Sequence, residues 1–263
     1  APVASVDDDE LLAEYYPWLG DVDRGEVDPS LLDADWAPAP ETIAAWNPDL
    51  ILTDVWNTDE KLYEQLSQIA PTYVGLTSDT QTTWQGHLAS LAALTGHDPA
   101  IVATVEADLS ASLEAAADKL PGLQGASYII PVFYTDNQFW PTEFGNDIMT
   151  SLGMVPSEQQ PHDGETNSDV PTISLENIDS ITEDVVILAA SGAVAADVVD
   201  ETFATLQKDP RVADLPASKN GTMVYLDAAQ WIAINGGTPL SYTWWLDQVL
   251  PQLESSALNQ SGN

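Results

Sequence analysis

Residues 38–75 read PAPETIAAWNPDLILTDVWNTDEKLYEQLSQIAPTYVG. Glu41 opens a stretch in which Ile43 and Trp46 are spaced as one face of a helix, and Asn47-Pro48-Asp49 interrupts it. The apolar run Leu50-Ile51-Leu52 follows without alternation. Such a run suits a parallel strand covered on both faces. The spacing therefore predicts a short helix running into a buried strand. The same grammar returns at 171–188, PTISLENIDSITEDVVIL. Glu176 precedes Ile178, Ile181 and Asp184 at the intervals by which Glu41 precedes Ile43, Trp46 and Asp49, and then comes Val185-Val186-Ile187-Leu188. The copies stand about half a chain apart, too far for a solenoid. They point to two similar lobes, each with its own sheet. Both glutamates fall in a first helical turn, where a carboxylate favours the helix dipole. A plain helix-start residue is the ordinary alternative for each.

Composition narrows the classes. A length of 263 residues suits one large or two modest domains, and 44% hydrophobic content suffices for ordinary cores. No apolar run is long enough to span a membrane. With no cysteine, disulfides and thiolate sites are excluded. The net charge is −36, from 42 acidic residues against 6 basic ones. Total charged content is 18%, below the usual ~25%, so depletion of Lys and Arg matters more than surplus acid. Such a chain repels nucleic acid and anionic membrane surface, and nucleic acid is not expected as a partner. Adaptation to high salt and a merely acidic exported protein both explain the charge.

Taken in order, Val3 to Val6 reads as a strand and Asp7 to Glu10 as a solvated helix start, with a hard-cation site the weaker alternative. Asn57 or Thr58 is expected to cap a helix reaching Ile69, and Val74 to start an edge strand. A helix over 82–94 closes at Gly96. Asp98 and Pro99 open the longest helix, with apolar positions from Val102 to Leu120, and Pro121-Gly122 ends it. A strand spans 128–133, a helix 143–152, a loop 156–170, a strand 185–189, a helix 197–206 and a strand 223–226. Thr238-Pro239 starts the last helix, which Pro251 kinks or ends, and 255–263 reads as frayed. Alternating strands and helices give an α/β fold with parallel-type sheets. The expected organisation is an N-terminal lobe at 1–97, a linking helix at 98–121 and a C-terminal lobe at 122–263, with a ligand cleft between lobes.

In parallel sheets, ligands sit beyond the carboxyl ends of strands. The residues placed there are Trp56, Asn57, the stretch from Tyr134 to Trp140 with Phe139 in it, Ser191 and the stretch from Asp227 to Trp231. Aromatic rings at Trp56, Trp140 and Trp231 offer faces to a bulky ligand, and core packing is the other role open to them. Tyr16 and Trp18 either pack in the core or overhang the cleft. Trp46, Trp84, Trp244 and Trp245 read as core residues of helices. No basic cluster is available to hold a highly charged anion. His87, His97 and His162 lie away from strand ends and read as surface residues rather than zinc ligands. The chain has no G-x-S-x-G, no Walker A lysine loop and no G-x-G-x-x-G.

The Glu-x-Ile-x-x-x-x-Pro-Asp-Leu-Ile pattern resembles the substrate-binding proteins of ABC importers that carry ferric siderophores, haem and cobalamin. YEQLSQIAPT at 63–72 resembles the motif that follows the same strand in that family. YYPWLGD at 15–21, DPRVADLPASKNGTMVYLD at 209–227 and PLSYTWWLDQVLPQL at 239–253 are similar to its ferric-siderophore branch. The resemblance covers nearly the whole chain, except that the family's first strand and helix have no counterpart here. It implies a monomeric binding protein rather than an enzyme. That protein would act outside the cytoplasm, be lipid-anchored in full-length form, and deliver a ferric siderophore to an ABC permease. No cofactor and no protein metal site are implied. Glu41 and Glu176 match, one per lobe, the glutamates that meet basic residues of the permease. Haem or cobalamin is the alternative cargo. A carbohydrate-active hydrolase, which also lines clefts with Trp, is the alternative from another class.

Overall fold

A computed structural model of the chain describes residues 9–20, 28–32, 37–54, 57–75, 83–134, 137–192 and 194–261. The chain divides into two compact units, Ala1–Thr104 and Val105–Asn263. The strand expected at Val3 to Val6 lies outside the described residues.

The first unit begins with α1 (Asp9–Tyr15) and a 3-10 turn at Pro17–Leu19. Helix α2 (Pro40–Ala45) starts on Pro40, whose fixed φ suits a first helical turn, and carries Glu41 in that turn. It ends where Asn47 turns to φ 46°, a left-handed conformation that Asn tolerates, just before Pro48. Strand β1 (Ile51–Thr53), helix α3 (Glu60–Ser67) and strand β2 (Thr72–Val74) form one parallel unit, with Ile51 opposite Thr72. Ile51, Leu66 and Ala70 make its small core, packed by Ile43, Leu62 and Ile69. Two expectations fail here. Strand β1 is not covered on both faces, because Leu52 is 52% exposed. The cap of α3 is neither Asn57 nor Thr58. Asn57 is bonded to Asp54 and Thr58 to Thr53, and the Asp59 carboxylate accepts from the Leu62 N–H at 2.7 Å instead.

Helix α4 (Trp84–Leu94) is capped by Thr83, and Gly96 follows with φ 76°. Helix α5 (Ile101–Ala117) starts later than expected. Asp98 caps a preceding turn, accepting from the Ala100 N–H at 2.9 Å, so Pro99 stands outside the helix. The division between the two units falls inside α5.

The second unit holds β3 (Ser127–Ile129), β4 (Pro131–Phe133), β5 (Gln138–Pro141), α6 (Asn146–Ser151), β6 (Val155–Pro156), β7 (Ile173–Ser174) and β8 (Val185–Ala190). Then come α7 (Ala196–Leu206), α8 (Pro210–Asp214), α9 (Pro216–Asn220), β9 (Met223–Tyr225), α10 (Ala228–Gly236), α11 (Pro239–Ser255) and α12 (Ala257–Ser261). Among the described residues the strands form one sheet in the order β6-β3-β8-β4-β5-β7, with β9 paired to β8. Strand β8 is central, and Val185 to Ala189 are fully buried. That is how its unalternated apolar run reads. Pairing is parallel except along both edges of β5. The single strand expected over 128–133 is broken at Ile130. Its N–H leaves the ladder and donates to Oε1 of the fully buried Gln160 at 2.8 Å. The Gln160 amide is satisfied in turn by the Thr142 carbonyl and by Asn146 Oδ1 at 2.7 Å, as a buried polar group must be.

The second copy of the repeat forms a 3-10 turn at Leu175–Ser180 rather than an α-helix, with Asn177 at φ −107° and ψ 26°. Its Asp184 is structural: the carboxylate accepts from the N–H and hydroxyl of Ser127 at 3.0 and 2.9 Å, fixing the start of β3 beside β8. Helix α11 continues four residues past Pro251, and at 17 residues it equals α5, so α5 is not uniquely the longest. Nor are residues 255–261 frayed. Buried Asn259 accepts from Gly122 N–H at 3.0 Å and donates to the carbonyls of Lys119 at 2.9 Å and Glu254 at 3.1 Å. Gly122 has no room for a Cβ against the backbone of Leu258 and Asn259.

Candidate functional site

The carboxyl ends of β4, β8 and β9 bring Tyr134, Ser191 and Asp227 to one end of the large sheet. The antiparallel β4–β5 hairpin completes that end. Val132 lies opposite Trp140, and Phe133 opposite Phe139. Successive side chains alternate between faces, so the hairpin divides its aromatics. Phe139 is fully buried and packs against Phe133, with ring centroids 5.6 Å apart, in the core cluster. It is therefore a core residue, not the ligand residue expected from the sequence. Tyr134 and Trp140 remain half-buried and meet edge to face, with centroids 6.2 Å apart and planes at 73°. Gln138, half-buried, comes with them. The hydroxyl of Thr172 donates to its Oε1 at 3.2 Å.

The turn of this hairpin is fastened at both sides. The Tyr134 N–H donates to the Gln138 carbonyl at 3.1 Å, and the Leu175 N–H donates to the Asn137 carbonyl at 3.3 Å. Asn137 adopts φ 58°, a left-handed position that Asn accepts better than most residues. The aromatic hairpin is thus joined to the turn that carries Glu176. Tyr225, at the end of β9, packs against Phe203 at 5.4 Å, and burial pushes its phenol up to about 12, so it stays neutral.

Trp231 is also corrected. The stretch after β9 is helix α10, capped by a box in which Asp227 accepts from the Gln230 N–H at 2.8 Å and Gln230 Oε1 accepts from the Asp227 N–H at 3.1 Å. Trp231 lies in that helix, only 8% exposed, and offers little ring surface. Asn57, in the first unit, is turned toward Asp54, with its N–H and Nδ2 at 3.0 and 3.2 Å from Oδ1. Trp56 lies outside the described residues. Tyr16 and Trp18 form another edge-to-face pair, with centroids 5.5 Å apart, and Tyr16 is 39% exposed. Gln138 falls within the stretch from Tyr134 to Trp140 expected beyond the strand ends, and alternation along 138–141 puts it on the face of Trp140. Tyr225 was not among the residues expected there.

Glu41 and Glu176 are both exposed in the first turn of their short helices. Among the described basic residues, Lys119 pairs with Glu254, Lys219 with Asp214 and Arg211 with Asp209. Tyr134, Gln138 and Trp140 at the aromatic end of the sheet are themselves neutral, and the charged group brought to that end with them is the acidic Asp227. A shallow hollow of about 380 Å³ runs along β7 and the 3-10 turn, lined by Gln159, Thr172, Asn177 and Asp179 among others. It is polar and holds no aromatic ring. His162 Nδ1 lies 2.6 Å from the Gln160 carbonyl, which, together with Glu165 and Asp163, holds its pKa above the usual range. No group of three His, Asp or Glu residues suited to a metal ion exists among the described residues. No described helix is long and apolar enough to cross a membrane.

Residues 12–230 match the family described as Periplasmic binding protein. No curated protein matches the sequence significantly. Among solved structures, the chain is similar to a periplasmic solute binding protein from Mycobacterium smegmatis, with 24% identity, TM-score 0.66, and 90% of this chain and 79% of that one covered. It is similar to FeuA from Bacillus subtilis, a triscatecholate siderophore binding protein complexed with ferri-bacillibactin, with 21% identity, TM-score 0.58, and coverage of 84% and 76%. It is also similar to FhuD2 from Staphylococcus aureus with bound ferrioxamine B, with 16% identity, TM-score 0.59, and coverage of 86% and 82%. At such identities the neighbours establish the fold, and the match over 12–230 establishes more. The chain belongs to the periplasmic binding protein family.

Proposed function

We propose that this protein captures a ferric siderophore of the trihydroxamate type and hands it to an ABC permease. The observation that carries the ligand class is the half-buried Tyr134–Trp140 pair, with Gln138 beside it and no described basic side chain among them. Membership of a binding-protein family places the chain outside the cytoplasm and removes the hydrolase alternative. The neighbours hold a ferric catecholate in one case and ferrioxamine B in another, so the fold accommodates both chemistries and the lining residues must choose. Burying a trianionic complex without a counter-charge is costly. A net charge of −36 also opposes its approach. A neutral or cationic hydroxamate chelate meets neither obstacle. Its methylene loops present apolar area for Tyr134 and Trp140 to cover.

Delivery rests on Glu41 and Glu176, which would present carboxylates to basic residues of the permease. A monomeric, lipid-anchored full-length form belongs to the same proposal. The test is a titration of the purified protein with ferrioxamine B, following Trp emission and the absorption band of the chelate together. Saturable quenching with an intact band supports capture without chemistry. Quenching by haem or cobalamin, with none by ferrioxamine B, would overturn the ligand class.

A further inference from the structure

Arg211 is one of 6 basic residues on a chain with 42 acidic ones. It lies in α8, where its side chain spans two segments of the chain. Nε lies 3.1 Å from Asp209 Oδ1, and Nη2 lies 2.6 Å from Asp209 Oδ2, a two-pronged charge-assisted pair. The other prong, Nη1, donates to the main-chain carbonyl of Glu176 at 2.7 Å. Asp209 is itself fixed, since its Oδ1 accepts from the Arg211 N–H at 2.8 Å at the start of α8.

The Glu176 turn is anchored by the Leu175 N–H on the Asn137 carbonyl and by the buried Ile178, but its own backbone is irregular. It is a 3-10 turn interrupted at Asn177, and Ser174 makes no side-chain capping bond to it. We infer that Arg211 is a positioning residue for docking, holding the Glu176 turn so that its carboxylate faces the permease. The inference rests on the proposed docking role of Glu176. Arg211 also faces the carboxylates of Asp179 and Glu176, and so offsets their mutual repulsion at this edge. Geometry, not charge alone, sets the demand. A guanidinium forks onto Asp209 and still reaches the Glu176 carbonyl, whereas a lysine ammonium is a single point and cannot do both.

The experiment measures two affinities for each variant of the full chain: that for ferrioxamine B by fluorescence, and that for the permease held in lipid nanodiscs. The variants are R211A, R211K, E176A and E176A/R211A. The expected result is a roughly tenfold loss of permease affinity in R211A and R211K, with ferrioxamine B affinity unchanged. R211A should add little to E176A, because both act through one contact. Wild-type permease affinity in E176A would end the docking role itself. Weakening by E176A, with R211A or R211K at the wild-type level, would overturn the positioning role alone. Additive losses in the double variant, or a parallel loss of ferrioxamine B affinity, would overturn it as well.

Discussion

Trp140→Leu and Phe139→Leu change adjacent residues of one strand and should have opposite consequences. Phe139 is fully buried against Phe133, whereas Trp140 stands half-buried on the other face, edge to face with Tyr134. A Trp side chain carries on the order of 200 Å² of surface, of which a half-buried ring leaves roughly 60 Å² for a ligand to cover. At ~25 cal/mol per Å² that area contributes about 1.5 kcal/mol, or roughly a tenfold change in Kd. Trp140→Leu should therefore weaken ferrioxamine B binding about tenfold while Tm falls little. Phe139→Leu should cost about 1–2 kcal/mol of stability through imperfect refilling of the core and leave Kd unchanged in the folded protein. Isothermal titration with ferrioxamine B and thermal denaturation of the same samples read both quantities. A Kd for Trp140→Leu within twofold of wild type would refute the assignment of the ring to the ligand. A larger Kd change for Phe139→Leu than for Trp140→Leu would show that the alternation was assigned to the wrong face.

Three further outcomes are expected. The double variant Glu41→Ala with Glu176→Ala should bind ferrioxamine B normally and fail in uptake, and normal transport by it would remove the docking role. If the net charge of −36 reflects life in high salt, Tm should rise by several degrees between dilute buffer and ~1 M KCl as self-repulsion is screened; a flat response leaves only an acidic exported protein. Asn259→Ala should destabilise the second unit by about 1–2 kcal/mol, because it strands the part-buried groups bonded to that amide, and a Tm unchanged within error would contradict the tie between α12 and the 121–123 turn.

The α/β fold was legible where sequence pattern and burial coincide. Val185 to Leu188 is buried on both faces, so its unalternated run identifies a central strand. The matching run at Leu50 to Leu52 is equally apolar, yet Leu52 is largely exposed, because β1 belongs to a two-stranded sheet among the described residues. The aromatic site was legible only in part. Phe139 and Trp140 are indistinguishable by residue type, and only the antiparallel pairing with β4 decides which one faces the core. Trp231 was a different case. Asp227-Ala-Ala-Gln230 carries the spacing of a capping box, which marks a helix start and removes Trp231 from a loop. The break at Ile130 and the order of residues 257–261 depend on single distant amides, Gln160 and Asn259, and no local pattern foretells such partners.

The central claim is the chemistry of the ligand, and one competition measures it. The purified protein is titrated with ferrioxamine B and with a ferric tricatecholate under the same ionic conditions, and each Kd is taken from Trp quenching. The proposed contact with the neutral Tyr134, Gln138 and Trp140, on a strongly acidic protein, predicts at least tenfold tighter binding of ferrioxamine B, a difference of ~1.4 kcal/mol or more. Tighter binding of the tricatecholate would contradict it.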